Sequence, residues 1–464
     1  MTAIGPAPVG YKLSNQKMAF RTGMPFSLFN RTPMTLDRTQ SPAFQAIQEI
    51  RLPVVKTQYL SNNIPLHLIA IEQQPVLRLE CVFDAGTWYE QTAPSDRPGA
   101  SFFAVKMLAE GTPNRTSAQI SEYFDRYGAF LELNSGPDRA SVVIYCLTRF
   151  LPDVLPMLRE LLTEPTFPQK ELDDLRNITL QNLRVNYEKN SYVAGMLFRE
   201  KLFGMDHHYG RTQRPEFIEQ LTRAGVVDFY ERVIRNRPFQ VILAGQATEN
   251  EVRLIDQELG HLTVRTDDLP AFLGHAVADD EIPILAEKPD SVQSSIRLGR
   301  RLFTRSHPDY FKMVVTNEIL GGYFGSRLMK NIREEKGFTY GISSNLPSFR
   351  RDGYFLIGTD VNKENTQQTL DEIRKEIRIL QTEPVSADEL ETVKNYMAGE
   401  FVGSFNTPFE IADRYKVILL DGLPADFLSN YIRRLREVTA DDIIETASQY
   451  LAENSLREVV VGGK

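Results

Sequence analysis

The chain has 464 residues, 42% of them hydrophobic and 25% charged, and a formal net charge of −8. That length exceeds one ordinary core and points to several domains. The composition is that of a globular chain, and the acidic balance gives no broad reason to expect nucleic acid or an anionic membrane as partner.

Cys81 and Cys146 are the only cysteines. Both lie in apolar, strand-like runs, so buried thiols are expected rather than a disulfide, as suits a reducing compartment. No apolar run reaches membrane-span length and the first thirty residues lack a continuous apolar signal core, so the expected address is the cytoplasm.

No acid precedes Asp37, whereas Lys12, Lys17, Arg21 and Arg31 do. Such acid-poor composition suits a transit peptide, but Pro6, Pro8, Gly10, Gly23, Pro25 and Pro33 oppose an amphipathic helix. Residues 1–50 are therefore expected as an extended arm lying on the body or on a partner. Val54 to Ile71 and Leu77 to Ala85 carry strand-like patterning, as does Ser141 to Cys146. Between them, Gly99 to Thr112 (GASFFAVKMLAEGT) has the frame of an inverted zinc helix, H-x-x-E-H, with Phe102, Val105 and Lys106 where two imidazoles and a general-base carboxylate would stand. A phenyl ring donates no lone pair, an isopropyl group takes no proton, and an ammonium repels a dication. No catalytic zinc is expected there. Leu155 to Leu162 and Leu172 to Glu188 have helical spacing, broken by Pro165 and Pro168. Residues 266–285, rich in acids with Pro270 and Gly274, read as a linker. Beyond it, Leu370 to Leu380 and Asp388 to Phe401 repeat the helical plan.

An internal repeat organises the whole. Thr163-Glu164-Pro165, Glu171-Leu172 and Arg176-Asn177 return as Thr382-Glu383-Pro384, Glu389-Leu390 and Lys394-Asn395. The offset of roughly 218 residues also carries Val241–Gly245 onto Glu458–Gly462. A repeat this long is a duplicated α+β domain, each copy closing on an apolar strand that ends in Gly. The expected domains are 51–265 and 286–464.

Gly86-Thr87-Trp88-Tyr89-Glu90, the Gly99 to Thr112 frame, Phe203-Gly204 with Tyr209-Gly210-Arg211, Gly321-Gly322 with Ser326-Arg327-Leu328, and Gly337-Phe338-Thr339-Tyr340 occur in the order of a known family. Over residues 50–464 the chain resembles the pitrilysin-like (insulinase, mitochondrial processing peptidase) M16 metallopeptidases of the short-subunit branch. The resemblance implies the LuxS/MPP-like metallohydrolase fold, α+β with two homologous domains, each a mainly antiparallel sheet packed with helices. It also implies two subunits face to face around a chamber that accepts unfolded peptide. The family's third zinc ligand, a Glu, falls at or beside Asn182, and an amide oxygen is a weak ligand by comparison. With both histidine positions, the base and the third ligand replaced, this chain is expected to bind no metal or cofactor, zinc belonging to a catalytic partner.

What the resemblance keeps is the family's Arg and Tyr seven residues apart, here Arg333 and Tyr340. It implies a guanidinium that clamps a substrate carbonyl and a phenol that donates to a developing oxyanion in a partner's zinc site. Leu328, Met329 and Ile332 would give a short helix its apolar face, with Ser326 capping its start, Gly337 ending it, and Tyr340 on the following strand. The Gly321-Gly322-Gly325 cluster reads as a turn, not a phosphate loop. His207-His208 lacks the spacing of a metal site, and the Lys106 ammonium is expected to reach solvent rather than pair with Glu132 or Glu122. The expected function is that of a non-catalytic subunit of a two-subunit zinc peptidase in a bacterial cytoplasm rather than a mitochondrion. Its partners are a zinc-bearing homologue and unfolded peptide, with neither nucleic acid nor membrane. A homodimeric pseudopeptidase that binds peptides or scaffolds an assembly is the alternative.

Overall fold

The computed structural model describes residues 47, 50, 52–71, 74–90, 99–265 and 283–463. The arm expected over residues 1–50, apart from Ile47 and Ile50, and most of the expected linker therefore lie outside the described residues. The first half runs β1 (Lys56–Tyr59), β2 (Pro65–Ala70), β3 (Val76–Phe83), α1 (Ala100–Lys106), α2 (Ser117–Arg126), β4 (Phe130–Ser135), β5 (Ala140–Leu147), α3 (Leu151–Thr163), α4 (Gln169–Glu188), α5 (Asn190–Phe203), α6 (Pro215–Gln220), α7 (Arg223–Phe229), β6 (Phe239–Gly245) and α8 (Glu249–Leu259). The second runs β7 (Ile284–Glu287), β8 (Gln293–Leu302), α9 (Tyr310–Asn317), β9 (Ile342–Asn345), β10 (Gly353–Asn362), α10 (Thr366–Thr382), α11 (Ala387–Gly403), α12 (Pro408–Asp421), α13 (Tyr431–Glu437), α14 (Ala440–Tyr450) and β11 (Arg457–Gly462). Strand β7 starts inside the stretch expected as linker.

Among the described residues these strands form two sheets, ordered β1-β2-β6-β3-β5-β4 and β7-β11-β8-β10-β9. Both are antiparallel except where β2 runs parallel to β6 and β7 parallel to β11. The α+β architecture of two helix-packed, mainly antiparallel sheets is the one expected. The terminal glycines of the repeat have a physical reason. Gly245 and Gly462 take φ of +117° and +129°, and a Cβ at either would stand 2.2 Å from the Val76 carbonyl oxygen or 2.6 Å from that of Gln293.

Side chains alternate across each strand. On β3, Leu77, Leu79, Cys81 and Phe83 join the main core of the first half, whose helices α1, α3 and α7 contribute Phe103, Leu158 and Phe229. Val82 faces the opposite way, and that second face is covered by a helix from the other half. Ile411, Ala412 and Leu420 of α12 pack on Ile69, Val82, Ile242 and Ala244. Reciprocally, Ala194, Phe198 and Leu202 of α5 pack on Val459 and Val461 of β11. Helices α5 and α12 hold equivalent places in the repeat, so the two copies exchange them.

Candidate functional site

Helix α1 begins at Gly99, whose φ is +118°, and the Glu90 carboxylate accepts from Gly99 N and Ser101 N, each at 3.0 Å. An anion at a helix N-terminus offsets its unpaired amides. The helix so anchored carries no metal-binding chemistry. Val105 is 1% exposed in the core, and Phe102 packs edge-on to Phe103 at 5.4 Å.

The Lys106 Nζ, on a half-buried side chain, donates at 2.5 Å to the carbonyl of Leu133 on β4. Strand β4 is the sheet's edge. Gly136 N donates to Arg139 O across the hairpin, so alternation along the register puts Leu133, opposite Val142, at a pair without mutual hydrogen bonds. Its carbonyl faces outward, without a strand partner among the described residues, and a nearby ammonium is its natural donor. Asn182 is exposed on α4 between the buried Leu180 and Leu183. These residues do not fit zinc, and no group of three or more His, Cys, Asp or Glu among the described residues is placed to hold a metal.

In the second half a π-helical turn, Met329–Glu335, carries Arg333. Leu328, Met329 and Ile332 are buried beneath it, and Gly337 at φ +68° ends it. Ser326 does not cap it: its hydroxyl is buried without a hydrogen-bond partner. The Arg333 guanidinium lies 4.6 Å over the Phe324 ring, which is 63% exposed. Tyr340, expected on a strand, instead precedes β9, because the Thr339 hydroxyl accepts from Gly341 N at 3.1 Å and closes a turn around it. Its side chain is 96% exposed. Beside it opens a cleft of about 430 Å³ lined by Arg297, Ser343, Leu356, Gly358, Thr359 and Asp360, among others, but not by Arg333. Sequence reasoning missed this cleft, because Arg297 and Asp360 meet only through strand register.

The family anchors of the first half weld the two halves together. Asp138, 7% exposed, accepts from Tyr209 Oη at 2.6 Å, Arg351 Nη1 at 3.0 Å and Arg350 N at 3.0 Å. Phe349 stacks on Tyr209 at 4.2 Å, and Arg351 lies 4.3 Å over Trp88. His207 and His208 are buried in this cluster. His207 stacks on Phe203, and His208 Nδ1 is 3.0 Å from the Thr87 carbonyl oxygen. Burial lowers both imidazoles, with Arg301 acting on His207 and Arg211 on His208, which falls to about 4. Cys81 and Cys146 are free and buried, and burial raises the thiol of Cys146 to about 12. They are poor nucleophiles.

A family model described as insulinase (peptidase family M16) matches residues 68–213, and one described as peptidase M16 inactive domain matches residues 220–397. A Bacillus subtilis relative named uncharacterized zinc protease YmxG is 22% identical over 83% of this chain and 94% of its own. A relative named non-peptidase homolog YmxG, from Helicobacter pylori, is 22% identical over 79% of this chain and 84% of its own. A solved Helicobacter pylori protease superposes with a TM-score of 0.81 at 15% identity, covering 89% of this chain and all of that one. A peptidase M16 inactive domain from Pseudomonas fluorescens superposes with a TM-score of 0.78 at 22% identity, covering 88% and 98%. No helix among the described residues is long and apolar enough to cross a membrane.

Proposed function

The chain belongs to the insulinase-like peptidase family M16, and on that premise we propose that it is a non-catalytic subunit pairing with a zinc-bearing homologue. In this reading residues 51–265 and 286–464 are its two domains, and together they form half of a peptide-holding chamber in a bacterial cytoplasm. The observation that carries the reading is the contrast between the halves. Phe102, Val105, Lys106 and Asn182 cannot assemble a metal site, whereas the Tyr340 phenol is 96% exposed and free to face another subunit. Among the described residues Arg333 is held by the Phe324 ring and by no ion pair, which leaves its donors for a peptide carbonyl. Tyr340 would donate its proton in a hydrogen bond to the oxygen that becomes negative in the transition state.

Peptide hydrolysis tests this, using the chain alone, the zinc-bearing homologue alone, and the two mixed. The expected result is cleavage by the mixture, no zinc and no cleavage with this chain alone, and a loss of about 10²- to 10³-fold in kcat for Tyr340→Phe, with a comparable loss for Arg333→Ala. Full activity in both variant complexes would refute the assignment. A homodimeric pseudopeptidase is the second reading, favoured by Ile178 and Val185, exposed at 55% and 60% on one face of α4 where a second copy could cover them.

A further inference from the structure

We infer that the cleft beside Tyr340 is a subsite for a carboxylate carried by an extended peptide, the side chain of Glu or Asp or the chain's own C-terminus. The inference rests on the peptide-holding reading above and names what the held peptide must carry. The floor of the cleft is set by register: Gly358 of β10 stands between Arg297 of β8 and Ser343 of β9. Because Gly358 has no side chain, the guanidinium lies across it, and a Cβ there would sit 3.4 Å from Arg297 Nη1. The result is a trough with a cation at its base.

That cation is incompletely neutralised. The Arg297 side chain is 14% exposed. Its Nη1 donates to the carbonyl of Ile296 at 2.8 Å and of Thr359 at 3.4 Å, and its Nη2 to that of Ser191 on α5 at 3.2 Å. Carbonyls satisfy hydrogen-bonding capacity but carry no net charge. The carboxylate nearest among its ion pairs, Asp360, stands off at 3.9 Å, while Arg78, Arg214 and Arg327 hold theirs at 2.7, 2.7 and 2.8 Å. Asp360 is instead engaged by the Ser295 hydroxyl. Burial accordingly lowers the pKa of Arg297 and Asp360 offsets this only in part, whereas Arg78, Arg214 and Arg327 are all raised.

A buried cation without a full counter-charge, in a cleft open to solvent, favours an entering anion. The hydroxyls around it suit a carboxylate. Ser343 Oγ accepts from Asn345 Nδ2 at 3.2 Å and keeps its own proton to donate. At about 430 Å³ the cleft admits a side chain or a chain end rather than a folded surface. Asp360 works against the guest, which gives the inference a second handle.

The test is fluorescence anisotropy with the full chain and short unstructured peptides: one with a single Glu and an amidated C-terminus, its Gln twin, and the Gln twin with a free C-terminal acid. The carboxylate-bearing peptides are expected to bind at least about tenfold more tightly than the amidated Gln peptide, since hydrogen bonds to charged groups contribute that much or more. Which of the two gains identifies the source of the carboxylate. Arg297→Gln should erase the difference and Arg297→Lys keep part of it. Asp360→Asn, which leaves the guanidinium untouched, should widen it severalfold. Equal, measurable affinities for all three peptides overturn the carboxylate subsite but leave peptide holding intact, and a preference that survives Arg297→Gln or shrinks with Asp360→Asn does the same. Absence of binding to every peptide overturns both.

Discussion

Replacing Glu80 by Ala should loosen the exchanged helix α12 from the first sheet. Glu80 is 0% exposed. Its Oε2 is 2.7 Å from Arg78 Nη2 and its Oε1 2.5 Å from Lys416 Nζ, so one carboxylate compensates a cation on its own strand and another on α12. Breaking a buried ion pair by removing one partner costs about 3–5 kcal/mol, because a desolvated charge is left behind. Two features moderate that figure. Arg78 keeps Asp413 at 2.7 Å, and the Lys416 side chain is 29% exposed and can turn to water. A loss of about 3 kcal/mol is therefore expected for Glu80→Ala. Glu80→Gln, which retains shape and one acceptor, should cost less, about 1.5–2 kcal/mol. Trp88 is the only tryptophan and sits under Arg351 where the halves meet, so urea unfolding followed by its fluorescence reads the effect directly. A Glu80→Ala protein within about 1 kcal/mol of the parent, or a Gln variant as unstable as the Ala variant, would refute the reasoning.

Acid should weaken the weld between the halves. His208 falls from 6.5 to about 4 on folding, so below pH 6.5 the unfolded chain takes up a proton that the folded chain refuses. Stability should then drop by about 3 kcal/mol between pH 6.5 and 4, and His208→Gln should flatten that slope; an unchanged slope would contradict the assignment. Lys106→Met should cost only about 1 kcal/mol, since water can replace a donor at an exposed strand edge. It should also promote self-association through the freed edge of β4, measured by sedimentation, and a strictly unchanged association state would show that Lys106 does not guard that edge.

Local chemistry was readable before the fold was known. Phe102, Val105 and Lys106 exclude metal by their side-chain types, Asn182 does so at the place the family resemblance assigns it, and the repeat matches α4 with α11 and β6 with β11 from the sequence alone. Contacts across long separations were not readable. Asp138 meets Arg350 and Arg351, and Glu80 meets Lys416, only once the strands are registered and α12 is docked. Strand β4 escaped notice because it is an edge, with Phe130 exposed and Leu133 buried, so its hydrophobicity does not mark one face. Tyr340 was misplaced because a single hydroxyl, that of Thr339, turns the chain before the ladder begins.

The traded helices make each copy of the repeat an unfinished object. Alone, the first copy would leave Ile69, Val82 and Ile242 bare to water, and the second would strip the cover from Val459 and Val461. A gene fragment encoding either one should yield insoluble product, while the two fragments made together should find each other and click into the native arrangement.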